Sequence, residues 1–195
     1  MSLGAGPVPG ADGRLRCPWA GSAPDYCDYH DNEWGVPLHG EVALFERLSL
    51  EAFQSGLSWL TILRKRDAFR RAFGGFRPAT VAAYTDDDLA RLLSDAGIVR
   101  NRAKIEATVR NARAVTELDQ GLDPLLWSYA PDPARRPAPR TVADVPARTR
   151  ESEAMARALR SRGFTFVGPV TCHALMQATG MVDDHLAGCF RRTAG

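Results

Sequence analysis

One short stretch decides the fold: Leu92-Leu93-Ser94-Asp95-Ala96-Gly97-Ile98, which joins two segments of helical periodicity. Gly97 permits a tight turn, and Ile98 is placed to pack between the two helices. A hairpin of this kind can direct main-chain N–H groups at a phosphate, with the dipole of the second helix adding to the attraction. Arg100, Arg102 and Lys104 follow at once. An ordinary helix–helix turn with a solvated basic face is the alternative interpretation, and it stays open.

Helical periodicity continues on both sides of the hairpin. It predicts helices over residues 41–54, 60–73 and 102–115, one that begins at Thr149 or Ser152 and ends at Gly163, and one from Pro169 to Gly180. Thr85 and Asp88 predict a capping box at the start of the helix that leads into the hairpin. Residues 130–146 are rich in proline, which is typical of a loop, and only residues 164–167 suggest a strand. The predicted fold class is all-α.

Composition agrees with a globular protein. The chain has 195 residues, of which 45% are hydrophobic and 25% charged, enough to bury a real core. No apolar run approaches the ~18 residues that span a bilayer. Residues 1–13 have neither the basic start nor the apolar stretch of a signal peptide. We therefore expect a disordered leader over 1–13, one domain over 14–195, and a cytoplasmic protein.

The charge distribution favours a polyanionic partner. The net charge is only +2, but residues 64–113 hold twelve Lys or Arg against six Asp or Glu, which leaves the remainder near −4. A basic middle of this kind attracts DNA even when the total charge is small. Because nearly all of these cations are arginines, a general preference for arginine in the genome explains the pattern as well.

Cysteines and histidines near the two ends have metal-ligand character: Cys17, His30, His185 and Cys189. If His185 and Cys189 lie on a helix, their spacing places both side chains on one face. Two cysteines and two histidines form the closed tetrahedron of structural zinc, which would clip the N-terminal segment to the C-terminus. Two alternatives stay open. The cysteines could be buried thiols beside ordinary histidines, or, together with Cys27 and Cys172, they could form two disulfides, which the lack of an export signal disfavours.

Aromatic residues gather in the first third of the chain: Trp19, Tyr26, Tyr29, Trp34 and Trp59. Aromatic faces can hold a flat base between them, although each ring could equally be part of the core. Glu51 shares a helical face with Leu44 and Leu48, where a carboxylate is costly to bury unless it is paired or functional. It could accept a hydrogen bond from an exocyclic amine, or it could be a boundary residue that reaches solvent or an arginine.

Several ordered stretches together resemble one family, 3-methyladenine DNA glycosylase I. They are Tyr29-His30-Asp31-Asn32-Glu33-Trp34-Gly35, Leu50-Glu51, Gln54-Ser55-Gly56-Leu57-Ser58-Trp59, Asp95-Ala96-Gly97-Ile98-Val99-Arg100, Arg162-Gly163-Phe164, Phe166-Val167-Gly168, and Met176-Gln177-Ala178 onward to His185. The resemblance covers about Cys17 to Arg191. It implies a helix-hairpin-helix DNA glycosylase fold with a structural zinc that joins the N- and C-terminal segments.

The resemblance also implies a role for individual residues. Glu51 falls on the carboxylate that reads the methylated adenine, and Leu57 of the Gly56-Leu57 turn falls where the family pushes into the duplex. The expected base pocket consists of Trp19, Tyr29 and Trp59, with Tyr26 and Trp34 as supports. The expected zinc ligands are Cys17, His30, His185 and Cys189. The expected contacts to the DNA backbone come from Gly97, Ile98, Arg100 and Arg102.

The expected activity is base-excision repair by a monomer acting on double-stranded DNA that contains alkylated adenine. The enzyme would hydrolyse the N-glycosidic bond of 3-methyladenine and leave an abasic site without lyase activity. A Schiff base needs an accessible amine, and the side chains offer only Lys65 and Lys104, of which Lys104 is expected to contact phosphate. The chain departs from the family's pattern at the Pro- and Arg-rich loop 130–140, at Cys27 and in the leader.

Three other hypotheses stay open at this stage. The first is a zinc-stabilised DNA-binding module without chemistry, and the second is a zinc hydrolase for a small molecule, which requires an open metal position. The third is a related glycosylase with a shifted substrate range.

Overall fold

The computed structural model describes residues 4–192, and nearly all of their regular structure is helical. The α-helices are α1 (Pro24–Asn32), α2 (Glu41–Gln54), α3 (Trp59–Ala72), α4 (Pro78–Ala82), α5 (Asp86–Ser94), α6 (Arg102–Thr116), α7 (Leu122–Trp127), α8 (Arg150–Ser161) and α9 (Pro169–Ala178). Short 3-10 helices occupy Pro18–Ser22, Gly74–Phe76, Pro133–Arg135 and Val142–Asp144. Within the described part of the chain, no helix is long and apolar enough to cross a membrane.

The predicted helices are found close to their expected bounds. α2 begins and ends where the periodicity placed it, and α3, α6, α8 and α9 differ from the prediction by one or two residues at their ends. The capping box before the hairpin is present, since the Thr85 N–H donates to Asp88 Oδ2 at 3.1 Å. Sequence periodicity missed the short helices α1, α4 and α7, which have too few turns to show a repeat.

Helix α2 lies at the centre of the molecule and packs against α3, α6, α7 and α9. Every residue from Arg47 to Phe53 is buried, so the second half of the helix is enclosed on all sides. A surface helix would keep one polar face in water, whereas a helix enclosed all round belongs to the core. Glu51 is therefore an interior residue and not a boundary residue.

Residues 164–167 do not form the strand that their composition suggested. Phe166 has φ +57°, which is incompatible with an extended strand. The Asn111 side chain takes the place of a neighbouring strand, because it accepts from the Thr165 N–H at 2.8 Å and donates to the Thr165 carbonyl at 3.0 Å. One side chain thus satisfies main-chain groups that a sheet would otherwise pair.

The N-terminal segment makes main-chain contacts from residue 5 onward, and the expected division into a disordered leader over residues 1–13 and one domain over 14–195 stays a prediction. Strand β1 (Val8–Pro9) pairs antiparallel with β2 (Leu15–Arg16), and the Ala5 carbonyl accepts from the Val142 N–H at 3.2 Å. These main-chain hydrogen bonds hold the segment on the domain, which the Gly/Pro-rich composition did not reveal. Residues 1–3 of the expected leader lie outside the described residues.

The segment after α1 passes close to the C-terminal part of the chain. The Leu38 N–H donates to the Thr179 carbonyl at 3.0 Å. Gly35 has φ +78°, and a Cβ there would lie 2.6 Å from His185 Cε1. Only glycine combines this backbone conformation with so close an approach. Gly35 therefore lets the end of α1 meet the segment around His185.

Candidate functional site

A cavity of about 310 Å³ opens between α1, α2, the start of α3 and the segment that follows α9. Its lining combines aromatic rings with a few polar groups: Cys17, Trp19, Tyr26, Tyr29, Trp34, Glu51, Gln54, Trp59, Val142, Val145, Ala174, Gln177, Asp184 and Leu186. All five aromatic residues singled out in the sequence are among them, and so is Glu51. The volume and the apolar lining with few polar groups are those of a small-molecule site.

Glu51 is 5% exposed and points into this cavity from α2. Desolvation raises the pKa of its carboxyl group to about 7, although the charge of Arg47 acts in the opposite direction. Within residues 4–192, no protein group donates a hydrogen bond to this carboxylate. A buried carboxylate without a donor is costly. Glu51 is therefore prepared for a ligand that brings hydrogen-bond donors, a positive charge, or both.

Arg47 organises the wall beside Glu51. Its guanidinium donates to the Tyr29 phenol oxygen at 3.0 Å and lies 5.4 Å from the centroid of the Trp59 ring. The Arg47 guanidinium also donates to a carboxylate oxygen of Glu33 at 3.4 Å. Both Nη atoms of Arg66 donate to the same Glu33 carboxylate. This network fixes the Tyr29 and Trp59 rings relative to each other. Burial also raises the pKa of Tyr29, so its phenol stays protonated.

The aromatic rings of the cavity contact one another, Trp19 edge to face with its two neighbours and Tyr29 tilted against Trp59. Trp19 packs on Tyr26 at 5.6 Å between centroids and on Trp34 at 5.1 Å, and Tyr29 lies 5.5 Å from Trp59. The Tyr26 phenol oxygen accepts from the Leu60 N–H at 2.9 Å, which ties the first turn of α3 to α1. The Trp59 indole N–H is buried without a partner in the described chain. The rings therefore form a rigid frame around an open slot for a flat ligand.

The proline-rich segment 130–146 forms part of the cavity wall. Val142 and Val145 line the cavity, and Arg136 reaches inward to Asp184 Oδ1 at 2.6 Å. Asp184 also accepts from the Gln177 amide at 2.9 Å. Although burial opposes it, these hydrogen bonds and the nearby His173 hold the pKa of Asp184 below its usual value. The proline-rich segment is thus one wall of the cavity.

Three of the four expected metal ligands lie together. The ligand atoms of Cys17, His30 and Cys189 are all buried and within 4.8 Å of one another. Cys189 Sγ lies 3.4 Å from His30 Nε2, close to the separation of about 3.5 Å between the S and N ligands of one tetrahedral zinc. Hydrogen bonds from Cys17 and His30 lower the pKa of the Cys189 thiol, which favours its thiolate form. All four cysteines are free thiols in the structure, so the disulfide interpretation finds no support there.

His185 lies beside this cluster, with its ring centroid 5.1 Å from that of His30. Each ring is oriented by a carboxylate, because Asp31 binds His30 Nδ1 and Asp183 binds His185 Nδ1, both at 2.8 Å. His185 Nε2 is buried without a hydrogen-bond partner in the described chain. His185 and Cys189 do not share a helix, since α9 ends at Ala178 and residues 181–192 are irregular. The irregular segment brings the two side chains to the cluster by a turn.

The hairpin between α5 and α6 is present, but its amides are not all free as expected. The Gly97 N–H donates to Asp95 Oδ1 at 2.7 Å, and the Ile98 N–H donates to the Asp95 carbonyl at 3.4 Å. In residues 4–192, the next two amides, those of Val99 and Arg100, find no acceptor. Gly97 has no positive φ; its role is close approach, since a Cβ would lie 3.1 Å from the Ala68 Cβ. Ile98 is buried in the core, as predicted.

The turn between α2 and α3 projects from the surface. Gly56 has φ +81°, and Leu57 is 40% exposed, a large fraction for an aliphatic side chain. On the hairpin side, Arg100 is exposed and makes no ion pair with any described residue, whereas Arg102 pairs with Glu106 at 3.3 Å. Lys104 is not the exposed phosphate contact that was expected. It is buried, and its ammonium donates to the carbonyls of Phe53 and Ser55.

Sequence reasoning missed the cavity residues Gln177 and Asp184, and it missed Arg47, which supports the rings of Tyr29 and Trp59. A signal for Arg47 existed, since it is a charge on the apolar helix α2, four residues before Glu51 and therefore one turn away. Gln177 and Asp184 carry no comparable signal. They reach the cavity because α9 packs against α2, a contact between residues more than 100 positions apart.

Comparison with known proteins agrees with this geometry. The family model for methyladenine glycosylase matches residues 19–192. DNA-3-methyladenine glycosylase 1 of Escherichia coli (strain K12) is 44% identical over 177 residues, which are 89% of this chain and 95% of that protein. A crystal structure of 3-methyladenine DNA glycosylase I superposes with a TM-score of 0.85 at 42% identity, covering 91% of this chain and all of the other.

A further solved relative is a variant of 3-methyladenine DNA glycosylase I in complex with 3-methyladenine. It matches with a TM-score of 0.86 and 35% identity over 92% of this chain and 98% of that one. Sequence and fold thus agree over almost the whole length of both proteins. The chain belongs to the methyladenine glycosylase family and is a DNA glycosylase.

Proposed function

We propose that this enzyme hydrolyses the N-glycosidic bond of 3-methyladenine in double-stranded DNA and leaves an abasic site. One observation carries the proposal: the Glu51 carboxylate is buried, without a hydrogen-bond donor, inside a cavity framed by aromatic rings. A 3-methylated adenine base in DNA is a flat cation with an exocyclic amine, so it brings both the charge and the donor that Glu51 lacks. The relative in complex with 3-methyladenine supports the same choice of base.

The base must leave the duplex to reach this cavity. Flipping costs a few kcal/mol, and less for a damaged base, because pairing and stacking are already weakened. Methylation at N3 makes the base a good leaving group, so the site needs little chemical assistance. The contribution of Glu51 is to bind the base edge and to stabilise its positive charge, while the Tyr29 and Trp59 rings hold the plane of the base. Water adds to the sugar carbon, and the base departs with the electrons of the glycosidic bond.

The DNA duplex would be engaged by the two turns on either side of the cavity. Leu57 is placed to enter the stack where the base has left, because it is exposed on a short turn next to Trp59. The free amides of Val99 and Arg100, with the unpaired Arg100 guanidinium, would hold a phosphate. Gly97 and Ile98 shape this turn but do not supply its amides. Arg102 contributes after it leaves Glu106.

The direct test is release of free 3-methyladenine from methylated duplex DNA, with 7-methylguanine followed in the same tube. We expect release of 3-methyladenine alone, and loss of that release in Glu51→Gln with DNA binding retained. A zinc-stabilised binding module without chemistry would bind DNA and release neither base. Release of both bases would replace the narrow glycosylase by one of wider range.

We also propose that the enzyme lacks lyase activity. The ammonium groups of Lys65 and Lys104 are both bound to main-chain carbonyls, and neither residue lines the cavity. A Schiff base needs a free amine at the sugar carbon. The product should therefore be an abasic site in an intact strand. A covalent adduct with DNA that borohydride traps at neutral pH would contradict this.

We propose that Cys17, His30, His185 and Cys189 hold one structural zinc ion. The fit rests on the clustered ligand atoms, on the orphaned Nε2 of His185, and on the carboxylates that orient both rings. Such carboxylates are the usual partners of zinc-bound histidines. Four protein ligands leave no position for a reacting water, so the zinc stabilises the fold. X-ray absorption should find two sulfur and two nitrogen neighbours; a bound water would favour a zinc hydrolase instead.

A further inference from the structure

The chain contains only two lysines against 23 arginines, and both are used in the same unusual way. Neither Lys65 nor Lys104 makes an ion pair with any described carboxylate. Each ammonium instead donates to two main-chain carbonyls in another part of the chain. An ammonium is compact and carries three donors that rotate freely, so it suits two carbonyls of neighbouring peptides better than a planar guanidinium does.

Lys65 lies on α3 and holds the hairpin between α5 and α6. Its Nζ lies 3.1 Å from the Ala96 carbonyl and 3.0 Å from the Gly97 carbonyl. The N–H groups of the same two peptide units are taken by Asp95, as described above. Both the carbonyls and the N–H groups of these two peptide units are therefore hydrogen-bonded. The next amides without an acceptor in the described chain are those of Val99 and Arg100.

Lys104 lies on α6 and holds the end of α2, just before the Gly56-Leu57 turn. Its Nζ lies 2.9 Å from the Phe53 carbonyl and 2.5 Å from the Ser55 carbonyl. Carbonyls in the last turn of a helix have no partner within the helix, and a positive charge there also compensates the helix dipole. Burial lowers the pKa of Lys104, but the two carbonyls satisfy the charged form.

The two lysine contacts are reciprocal: each connects one turn to the helix that follows the other turn. α3 begins at Trp59, directly after the Leu57 turn, and α6 begins at Arg102, directly after the hairpin. The helix that follows each turn thus sends its lysine to the other turn. Movement of either turn alone would break two hydrogen bonds from a charged donor.

We propose that Lys65 and Lys104 are positioning residues that lock the Leu57 turn and the hairpin together as one DNA-binding unit. This inference rests on the proposed function, since both turns are assigned to DNA there. The lock keeps Leu57 and the amides of Val99 and Arg100 at a fixed separation, so that both meet one duplex without further ordering. Preorganisation of this kind increases affinity by lowering the entropic cost of binding.

The test compares Lys65→Met with Arg100→Ala, using a duplex that carries a tetrahydrofuran abasic analogue and fluorescence anisotropy at 50–200 mM salt. For Lys65→Met we expect a Kd about tenfold higher at every salt concentration, because two charge-assisted hydrogen bonds are lost. The slope of log Kd against log salt should stay as in the unsubstituted protein. For Arg100→Ala the slope should fall by about 0.9, as for any lost phosphate contact. A similar fall for Lys65→Met, or an unchanged Kd, would overturn the proposal.

A second variant separates the hydrogen bonds from the charge. Lys65→Gln keeps two N–H donors without a positive charge, and we expect it to regain part of the affinity lost in Lys65→Met. Both variants should still quench tryptophan fluorescence with free 3-methyladenine, because the cavity is untouched, and this reports that they are folded. No regain in Lys65→Gln, with folding intact, would contradict positioning by hydrogen bonds. Failure of the proposed function would appear separately, as no base release by the unsubstituted enzyme.

Discussion

At Glu51, the loss of water outweighs the positive charge beside it. Arg47 lies one helical turn away and favours the carboxylate, yet the pKa rises from 4.5 to about 7 because the group is enclosed. Arg47 is already engaged by Tyr29 and Glu33, so it gives Glu51 a field but no hydrogen bond. Under the proposed function, a cationic base in the cavity would favour the carboxylate form of Glu51, so that binding of the base and ionisation of Glu51 would support each other.

Burial of Glu51 has a cost that depends on pH. The folded protein holds this proton more tightly than the unfolded chain, so the cost is absent below pH 4.5 and complete once pH rises past about 7. Glu51→Gln removes it, and we expect the variant to be more stable than the unsubstituted protein by about 3 kcal/mol at pH 8. Thermal unfolding at pH 5 and pH 8 checks this, since the difference should shrink at pH 5. The exposed control Glu117→Gln should show no such pH dependence.

The same group sets the pH dependence of activity. Because the carboxylate form binds the cationic base, kcat/KM should rise with pH and level off above about 7. Glu51→Gln should lose about 100-fold in kcat/KM at pH 8, the value of a hydrogen bond to a charged group in the transition state. The kcat/KM of Glu51→Gln should also no longer rise with pH below about 7. A limb that persists in the variant would assign the titration to another residue.

At the level of single elements, the turn between α2 and α3 exposes a hydrophobic side chain, Leu57, which is not part of the core. Leu57→Ala should leave thermal stability and binding of free 3-methyladenine unchanged, because the side chain is 40% exposed. Affinity for the abasic duplex should fall about tenfold, since the gap in the stack is no longer filled. Val42→Ala is the matched control. It removes an equally exposed aliphatic side chain at the other end of α2, roughly 20 Å away.

The proline-rich segment 130–146 contains the loop 130–140, where the sequence led us to expect a departure from the family's pattern. Its anchors are the Arg136–Asp184 ion pair and the hydrogen bond from the Ala187 N–H to the Pro139 carbonyl at 2.7 Å. Between these anchors and α8, Val142 and Val145 close one side of the cavity. Under the proposed function, this side of the cavity would face the bound base, whereas the exposed Arg135 points to solvent.

Loss of the inner anchor should alter the cavity. In Arg136→Met we expect the Kd for free 3-methyladenine, measured by tryptophan fluorescence, to rise several-fold, because Asp184 loses its strongest partner and the wall loosens. The salt dependence of DNA binding should not change. Arg135→Met is the matched control: it is the adjacent residue, with a side chain 87% exposed, and base affinity should stay as it was. If both substitutions raised the Kd for free 3-methyladenine equally, the lost positive charge alone would explain the change.

At the scale of the whole molecule, the proposed zinc site would join the N- and C-terminal segments of the chain. Cys17 and His30 precede the core helices, and His185 and Cys189 follow them, so a zinc ion would close a loop of almost the entire domain. Closing a loop of this length restricts the unfolded chain by about 5 kcal/mol in the chain-entropy model. Gly35 and Gly180 bring the same two parts together by close main-chain packing, so the contact does not depend on the metal alone.

Removal of zinc should therefore destabilise the protein without unfolding it. A chelator should lower Tm by about 15 °C, in proportion to the lost loop closure. Cys17→Ser should lower the zinc content measured by a colorimetric indicator after thiol release. Cys27→Ser, a half-buried cysteine outside the cluster, should retain one zinc ion per chain. An unchanged Tm after complete removal of zinc would mean that main-chain packing alone holds the N- and C-terminal segments together.

Local sequence patterns were enough for the all-α class, for the bounds of α2 and α6, and for the capping box at Thr85 and Asp88. These features depend on residues within a few positions of one another, so a single chain segment contains the information. The ordered motifs also predicted the family, and the residues expected to line the base pocket do line one cavity. Local patterns did not predict the short helices α1, α4 and α7 or the β1–β2 pair, because these elements depend on packing against distant parts of the chain.

Only the tertiary structure decided what surrounds each functional group. The sequence left Glu51 between interior and boundary, and enclosure of α2 by four helices placed it inside. The spacing of His185 and Cys189 would suit one face of a helix, whereas the structure holds both residues on an irregular segment. Asp95 takes the amides expected for phosphate, and the two lysines bind carbonyls 31 to 51 residues away. Desolvation and hydrogen-bond partners depend on groups distant in sequence, and no local pattern encodes them.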